Sequence, residues 1–346
     1  MNRTNWSKGI ALLSVLLILT VMSGCGVFSN VVTEDSERDA YAEAMKSEQL
    51  ITVGFSQIGS ESVWRTANTA SMQRALSAEN GYFLISRNAR QKQENQIKAL
   101  RSFISQRVDY IVFSPLTENG WETVLEEAKA AGIPVIIMDR TVNIADHSLY
   151  TAWVGTDVTG EGKKAGRWLE EHLKEAGRQY DDLNIVVLQG TIGSSSQIGR
   201  SAGFESVAAK YDNWHILEQA SGDFTTAKGK EVMKHFLKTY PDIDVLVSQN
   251  DDMTFGALEA IEEAGRSAGA DGDIIVISFD AVGDALAMVE QGKINVDIEC
   301  NPEQGDYVSE VIRKLERGES VEKEYIVEEQ VFTQENVSQY LDGRTY

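Results

Sequence analysis

The chain has 346 residues, which is too long for one ordinary hydrophobic core and predicts two domains. Its hydrophobic content of 42% and charged content of 25% are typical of soluble globular proteins and argue against fibrous and multi-span membrane classes. A formal net charge of -21 disfavours binding to nucleic acid and to anionic membranes.

The N-terminus has the pattern of an export signal. Arg3 and Lys8 precede an apolar run at 10–22, which is short for a spanning helix. The run ends in MSGC at 22–25, which resembles the lipobox of bacterial lipoproteins. That resemblance implies removal of 1–24 and a lipid on Cys25 that anchors the protein outside the cytoplasmic membrane of a bacterial cell. The alternative is an ordinary secretory signal with an incidental cysteine.

Residues 25–49 are predicted to form an acidic tether, because they are rich in charge and poor in large apolar side chains. The chain without 1–24 has 30 basic and 53 acidic residues, a net charge of -23. The second cysteine is Cys300, and a lipidated Cys25 leaves it without a disulfide partner. We therefore predict that Cys300 is a buried structural thiol.

From Leu50 onward, strand and helix patterns alternate strictly. The predicted strands are 51–56, 82–86, 110–114, 134–138, 185–189, 216–219, 245–249 and 274–279. The predicted helices are 63–78, 93–106, 121–131, 159–175, 197–210, 226–239, 254–264 and 283–291. Such alternation predicts an α/β protein with parallel sheets.

The alternating units fall into two series, which predicts two doubly wound parallel-sheet lobes joined by a multi-strand hinge. The N-terminal lobe is predicted to comprise 50–152 and 301–325, and the C-terminal lobe 153–300 and 326–346. The late β-like segments 295–299 and 325–332 do not extend the second series, and we expect them to act as hinge strands. A ligand would then bind in the cleft between the lobes.

Polar residues follow the predicted strands at their carboxyl ends, where open α/β sheets bind ligands. The plainest case is the buried run 133–138, which stops at Asp139 and Arg140. Similar endings occur at Asn250, Asp280 and Glu299. The alternative for any single position is a helix N-cap, which does not explain a charged pair.

Several motifs resemble those of the type I periplasmic sugar-binding proteins of ABC transporters, a ribose-binding-protein-like family. They are VGFSQIGSESVWR at 53–65, QKQENQIKA at 91–99, MDR at 138–140, LQGTIG at 188–193, SGDF at 221–224 and QNDDM at 249–253. The resemblance spans about 50–332, and within the family it is nearest to the galactofuranose-binding members.

The resemblance implies a set of sugar contacts. The residues are Glu61, Ser62, Trp64 and Arg65 after the first strand, Asp139 and Arg140, Arg200, Asn250 and Asp280 of the second lobe, Glu299 of a hinge strand, and the aromatic Phe224 and Phe279. The chemistry agrees, because sugar hydroxyls need acceptor-only carboxylates, donor-only guanidiniums and amides. Core packing is the alternative for Trp64.

Two departures from the galactofuranose-binding members bear on the exact sugar. Val63 replaces a glycine, which predicts a narrower pocket, and Gly199 replaces an acid, which predicts that Arg200 lacks an orienting carboxylate. The segment 91–99 is predicted to be a solvated helix start capped around Gln93. Asp251 is predicted to cap a helix and Asp252 to be solvated, so we expect no metal site there.

The sequence gives no sign of catalysis, a cofactor or a bound metal. The four histidines show no metal-ligand spacing, and Cys300 has no histidine near it in the sequence. A glycosidase pair of Asp139 and Asp280 is disfavoured, because Arg140 would keep Asp139 ionised.

The predicted function is a monomeric lipoprotein that binds a monosaccharide, a furanose or aldose, and delivers it to an ABC permease and its ATPase. The alternatives are a sugar sensor that signals to a membrane receptor kinase and a transcriptional regulator with the same ligand-binding fold. The lipobox and the absence of a basic helix-turn-helix before Leu50 disfavour the regulator.

Overall fold

The computed structural model describes residues 50–346. The predicted signal 1–24, Cys25 and the tether 25–49 lie outside the described residues. Within residues 50–346, no helix combines the length and the apolar character needed to cross a membrane.

The described chain contains twelve strands and nine α-helices. The strands are β1 (Ile51–Gln57), β2 (Tyr82–Asn88), β3 (Tyr110–Phe113), β4 (Val135–Met138), β5 (Ala152–Gly155), β6 (Leu183–Gln189), β7 (Trp214–Ser221), β8 (Val245–Ser248), β9 (Ile275–Asp280), β10 (Val296–Glu299), β11 (Glu324–Ile326) and β12 (Val331–Thr333). The helices are α1 (Val63–Ala75), α2 (Gln93–Gln106), α3 (Glu122–Ala130), α4 (Val158–Glu175), α5 (Ser195–Ala208), α6 (Thr226–Thr239), α7 (Asp251–Glu263), α8 (Gly283–Glu290) and α9 (Gly305–Glu316).

The strands form two six-stranded sheets. The first has the order β11-β5-β4-β3-β1-β2 and is parallel throughout, and the second has the order β12-β10-β9-β8-β6-β7 with only β12 antiparallel. Each sheet contributes side chains to two apolar clusters, as expected for parallel sheets buried on both faces. The predicted fold class of two parallel-sheet α/β lobes is confirmed.

The chain crosses between the sheets three times. The crossings follow β5, β10 and β11, because β5 and β11 belong to the first sheet and β10 and β12 to the second. The first sheet therefore extends to Gly155 and to Ile326, slightly beyond the predicted lobe boundaries at 152 and 325. The exact lobe division stays a prediction.

Two elements were missed, and one predicted segment is divided. The predicted segment 325–332 forms the two short strands β11 and β12 in different sheets. The strand β5 has only four residues, too few for a clear pattern. The helix α9 was missed although Val308, Val311 and Ile312 are buried at helical spacing.

Five helices begin with a side-chain N-cap in the part of the chain that the structure describes. The capping residues are Ser62, Asp157, Ser194, Thr225 and Asn250. Each accepts a hydrogen bond from a backbone N–H in the first helical turn, which fixes where the helix begins. These starts place Ser62 and Asn250 at the cleft.

Candidate functional site

A cavity of about 300 Å³, partly open to solvent, lies between the two lobes. It is lined by Glu61, Ser62, Trp64, Arg65, Asp139, Arg140, Ser196, Arg200, Phe224, Asn250, Asp280 and Cys300. Ten of the twelve predicted sugar contacts are in this set, and the exceptions are Phe279 and Glu299. As contacts to a sugar, all of them remain predictions.

In the first lobe, Arg65 organises the acidic side of the cavity. Its Nε donates to Glu61 Oε1 at 3.2 Å, and its Nη1 donates to Asp139 Oδ2 at 2.7 Å. Ser114 Oγ donates to the same Asp139 oxygen at 2.8 Å. Burial alone would raise the pKa of Asp139, but Arg65 and Arg140 outweigh burial and hold it below its ordinary value. Asp139 is therefore an ionised hydrogen-bond acceptor.

The guanidinium of Arg140 is the least satisfied cation of the site. Nη1 donates to the Leu116 carbonyl at 2.8 Å, whereas Nε is buried without a hydrogen-bond partner among residues 50–346. The group lies 5.2 Å from the centre of the Phe224 ring. Burial and the charge of Arg65 lower the pKa of Arg140 to about 10, so the group stays protonated at neutral pH.

In the second lobe, Arg200 is held from three sides. Nε donates to Glu161 Oε2 at 2.6 Å, Nη2 donates to Asp280 Oδ1 at 3.3 Å, and Nη1 donates to the Gln249 carbonyl. Burial would lower the pKa of Arg200, but Glu161 and the other acidic groups around it, including Asp280, together outweigh burial and raise the pKa. Arg200 is therefore a fixed cation on this wall.

The strand ends that carry the site depart from ordinary backbone geometry. Asp139, Phe224, Asp280 and Ala281 have φ angles of 60°, 59°, 108° and 60°. This left-handed region is unfavourable for residues with a side chain and must be held by the surroundings. Such strain at several strand ends of one cleft is typical of a binding site.

Two buried carboxyls hold the strained turn after β9. Asp297 Oδ1 accepts from the backbone N–H of Ala281 at 3.2 Å, and Asp251 Oδ2 accepts from Val282 N–H at 2.8 Å. Burial raises the pKa of Asp297 to about 7, and burial together with Asp297 raises that of Asp251. Asp251 therefore does not cap α7 as predicted, because Asn250 fills that position.

Comparison with known proteins identifies the family. The family model described as "Periplasmic binding protein domain" matches residues 53–320. This chain belongs to the periplasmic binding proteins. It is 41% identical to the galactofuranose-binding protein YtfQ of Escherichia coli K12 over 284 residues, which are 80% of this chain and 87% of YtfQ.

Solved structures give the same assignment. A Mycobacterium smegmatis structure in complex with beta-D-fucofuranose is 42% identical, with a TM-score of 0.81 over 86% of this chain and 95% of the other. The periplasmic component of the arabinose ABC transporter from Shewanella sp. ANA-3, bound to L-arabinofuranose, is 41% identical. Its TM-score is 0.79 over 85% of this chain and 95% of the other. Periplasmic binding proteins are extracytoplasmic solute-binding proteins rather than enzymes.

Glu299 lies outside the cavity lining of this periplasmic binding protein. Its Oε1 accepts from Arg344 Nη1 at 2.6 Å and from the Tyr346 hydroxyl at 2.8 Å, and its Oε2 accepts from Gln330 N–H at 2.9 Å. These bonds to the C-terminal segment occupy both oxygens. As a contact to a sugar, Glu299 stays a prediction, because its two oxygens already have protein partners in this structure.

Phe279 and Trp64 both pack in apolar clusters of the second lobe. Phe279 lies beneath Arg200, whose guanidinium is 5.0 Å from the ring centre, so its contact with the cavity is indirect. Trp64 lines the cavity and also donates from Nε1 to the Cys300 carbonyl at 2.5 Å. The sugar-facing and core-packing interpretations of Trp64 are therefore compatible.

The two departures from the relatives have different consequences from those predicted. Val63 does not line the cavity and is 44% exposed, so it does not narrow the pocket. Arg200 does have an orienting carboxylate, which comes from Glu161. A Cβ at Gly199 would lie 2.5 Å from a methyl of Val158, so this packing excludes an acid there.

The lobes contact each other across the cleft. The backbone N–H of Val63 donates to Asp252 Oδ2 at 3.1 Å, and Thr141 N–H donates to Ser195 Oγ at 2.9 Å. The expectation that Asp252 is solvated was wrong, because its carboxylate sits at the N-terminus of α1 in the opposite lobe. Burial raises the pKa of Asp252 to about 6.

Sequence reasoning missed residues that support the site from behind. Gln96 is fully buried, donates to the Ser114 carbonyl at 2.6 Å and accepts from Leu116 N–H at 2.9 Å. Ser114 in turn donates to Asp139, and the Leu116 carbonyl accepts from Arg140. The motif at 91–99 therefore has a positioning role rather than being only a solvated helix start. The feature of the sequence that could have indicated this role is an amide side chain, Gln96, next to apolar residues in a predicted helix.

Proposed function

We propose that this periplasmic binding protein captures a neutral monosaccharide, a furanose such as galactofuranose or a related aldose, in the interlobe cavity. The observation that carries this proposal is the composition of the lining. Three carboxyl groups and three guanidiniums converge there with the rings of Trp64 and Phe224, and their formal charges cancel. A lining that is polar but formally balanced favours a ligand with many hydroxyls and no charge.

Two unsatisfied atoms of this lining support the same ligand class. Glu61 Oε2 is an acceptor and Arg140 Nε is a donor, and both are buried without a hydrogen-bond partner among residues 50–346. A sugar hydroxyl both donates and accepts, so one ligand satisfies both kinds of atom. The ligands of the relatives, galactofuranose, fucofuranose and arabinofuranose, favour a five-membered ring.

A thermal-shift panel on residues 26–346 tests the ligand class. The panel contains galactofuranose, arabinofuranose, galactose, ribose, glucose and a non-sugar control. A ligand at one hundred times its Kd stabilises the fold by about 2.7 kcal/mol, which raises Tm by several degrees. A rise with none of the sugars would contradict the proposal.

We also propose that the protein is a monomeric lipoprotein, anchored through Cys25, that delivers the sugar to an ABC permease and its ATPase. The lipobox-like sequence and the transporter named for the Shewanella relative support this role. Sugar-loaded protein should stimulate ATP hydrolysis by the reconstituted permease, and Cys25→Ala should abolish lipid incorporation. A sensor that signals to a kinase would not stimulate the ATPase.

A further inference from the structure

The three segments that cross between the lobes each bring one acidic or thiol side chain to the same place. Glu161 lies in the first turn of α4 after the first crossing, Cys300 begins the second crossing, and Glu329 lies in the third. One ligand atom from each lies within 4.8 Å of the other two. The side chains of Glu161 and Glu329 are 0% and 3% exposed, and Cys300 is buried.

The hydrogen bonds leave one oxygen of this group unexplained. Glu161 Oε2 accepts from Arg200 Nε at 2.6 Å, and its Oε1 accepts from Thr156 Oγ1 at 2.9 Å. Glu329 Oε2 lies 3.6 Å from Lys164 Nζ, whereas its Oε1 is buried without a hydrogen-bond partner within residues 50–346. Two ionised carboxylates so close together in a buried site would repel each other strongly.

We propose that Glu329 is a neutral carboxylic acid that donates its proton to Glu161, and that this acid–carboxylate pair positions the Arg200 guanidinium from the hinge. A shared proton removes the repulsion and gives the unpartnered oxygen a hydrogen bond. Glu161 stays the anion that orients Arg200, and Glu329 is a positioning residue that contacts no ligand. The consequence for sugar affinity rests on the function proposed above, whereas the shared proton does not.

The charges that face Glu329 agree with a neutral acid. The charged groups are Glu161 and Lys164 of α4 and Arg200 of α5, and the Cys300 thiol of the second crossing lies beside them. Burial and then Glu161 raise the pKa of Glu329 to about 10, against the lowering effect of Lys164 and Arg200. The group is therefore protonated across the physiological range.

A proton fits this cluster better than a metal ion. Both oxygens of Glu161 already accept hydrogen bonds, and the Arg200 guanidinium, 2.6 Å away, would repel a cation. Burial raises the pKa of the Cys300 thiol, so the thiolate that a metal requires is disfavoured.

The first test measures unfolding of the ligand-free protein by urea between pH 5 and 9. Over this range Glu329 is protonated in the folded state and ionised in the unfolded state. The free energy of unfolding of the wild type should therefore fall as pH rises, with the slope expected for one proton that only the folded state binds. Glu329→Gln cannot ionise, and its amide still donates to Glu161. It should lose that part of the slope and be at least as stable as wild type at pH 8.

Glu328→Gln is the matched control, because Glu328 is the exposed neighbour. Identical pH slopes for wild type and Glu329→Gln would overturn the shared proton. So would a stabilisation of wild type by added Zn²⁺ that Glu329→Gln abolishes.

The second test measures sugar affinity by titration calorimetry with galactofuranose. Glu329→Ala should weaken binding about tenfold or more, Glu329→Gln should restore it to within about twofold, and Glu328→Ala should leave it unchanged. Wild-type affinity in Glu329→Ala would overturn the positioning role. If wild type binds no furanose, the proposed function fails, while the urea experiment still decides whether the proton is shared.

Discussion

The carboxylate of Asp139 pairs with Arg65, 74 residues earlier in the chain, and not with its neighbour Arg140. Nη1 of Arg65 lies 2.7 Å from Asp139 Oδ2, and both side chains are almost fully buried. Arg140 forms no ion pair within residues 50–346. In the first lobe, Arg65 is therefore paired with acidic side chains of the protein, whereas Arg140 is available to a ligand.

Arg140→Ala should abolish measurable sugar binding while the protein stays folded. The Nε donor has no hydrogen-bond partner within residues 50–346, and loss of the cation relieves its repulsion with Arg65. We expect Kd to rise at least about a hundredfold, the scale of a buried charged hydrogen-bonding group. Calorimetry measures Kd, and circular dichroism checks the fold. Unchanged affinity would remove Arg140 from the site.

Gly190→Ala should displace the Phe224 ring from the cavity wall. A Cβ at Gly190 would lie 1.8 Å from the tip of that ring, so the ring must move. We expect affinity for the sugar to fall about tenfold or more, together with a modest loss of stability. Gly343→Ala is the control, because its Cβ would meet no atom within 4 Å. Equal affinities for the two variants would show that the position of Phe224 is unimportant.

Asp297→Asn should stabilise the protein above pH 7. The pKa of Asp297 is raised to about 7 by burial, so the folded state binds a proton that the unfolded state releases near pH 4. Wild-type stability should therefore fall as pH rises from about 4 to 7, and the variant should lack that decrease. Because the Asn side-chain oxygen can still accept from the backbone N–H of Ala281, we expect a gain of about 1–2 kcal/mol at pH 8 in urea unfolding.

Asp284→Asn, an exposed acid on α8, is the control for this pH dependence. A variant of Asp297 that keeps the wild-type slope would show that this carboxyl is ionised throughout.

Asp252→Ala should weaken sugar binding without changing the cavity itself. It removes the acceptor of the Val63 N–H across the cleft, so closure of the lobes loses one hydrogen bond. We expect Kd to rise about fivefold, equivalent to about 1 kcal/mol, and Asp252→Asn to preserve most of the affinity. A Kd for Asp252→Ala equal to that of wild type would mean that this contact does not contribute to closure.

The sequence predicted the parts of the site that follow from topology. The carboxyl ends of parallel strands meet at one edge, so Asp139, Asn250 and Asp280 were predictable as neighbours once the alternation was recognised. The caps Ser62 and Asn250 are also local, because each side chain accepts from an N–H three residues ahead. The cap of α7 was nevertheless predicted one residue too late, at Asp251.

What the sequence did not predict depends on long-range packing. Glu161 meets Arg200 because α4 and α5 pack together, and nothing near either residue in the sequence signals the pair. Glu299 lies at the carboxyl end of a strand, like the predicted site residues, but Arg344 and Tyr346 bind its carboxylate. Tertiary structure sets the path that brings these two residues back to the hinge. Asp252 was misjudged because its partner, Val63, lies in the other lobe.

The measurement that tests the central claim most directly is a calorimetric titration of the protein with galactofuranose, run beside glucose at the same concentrations. We expect one furanose per chain, with micromolar or tighter affinity, and much weaker binding of glucose. Binding of glucose as tight as that of galactofuranose, or no heat with either sugar, would contradict the proposal that the interlobe cavity is a furanose site.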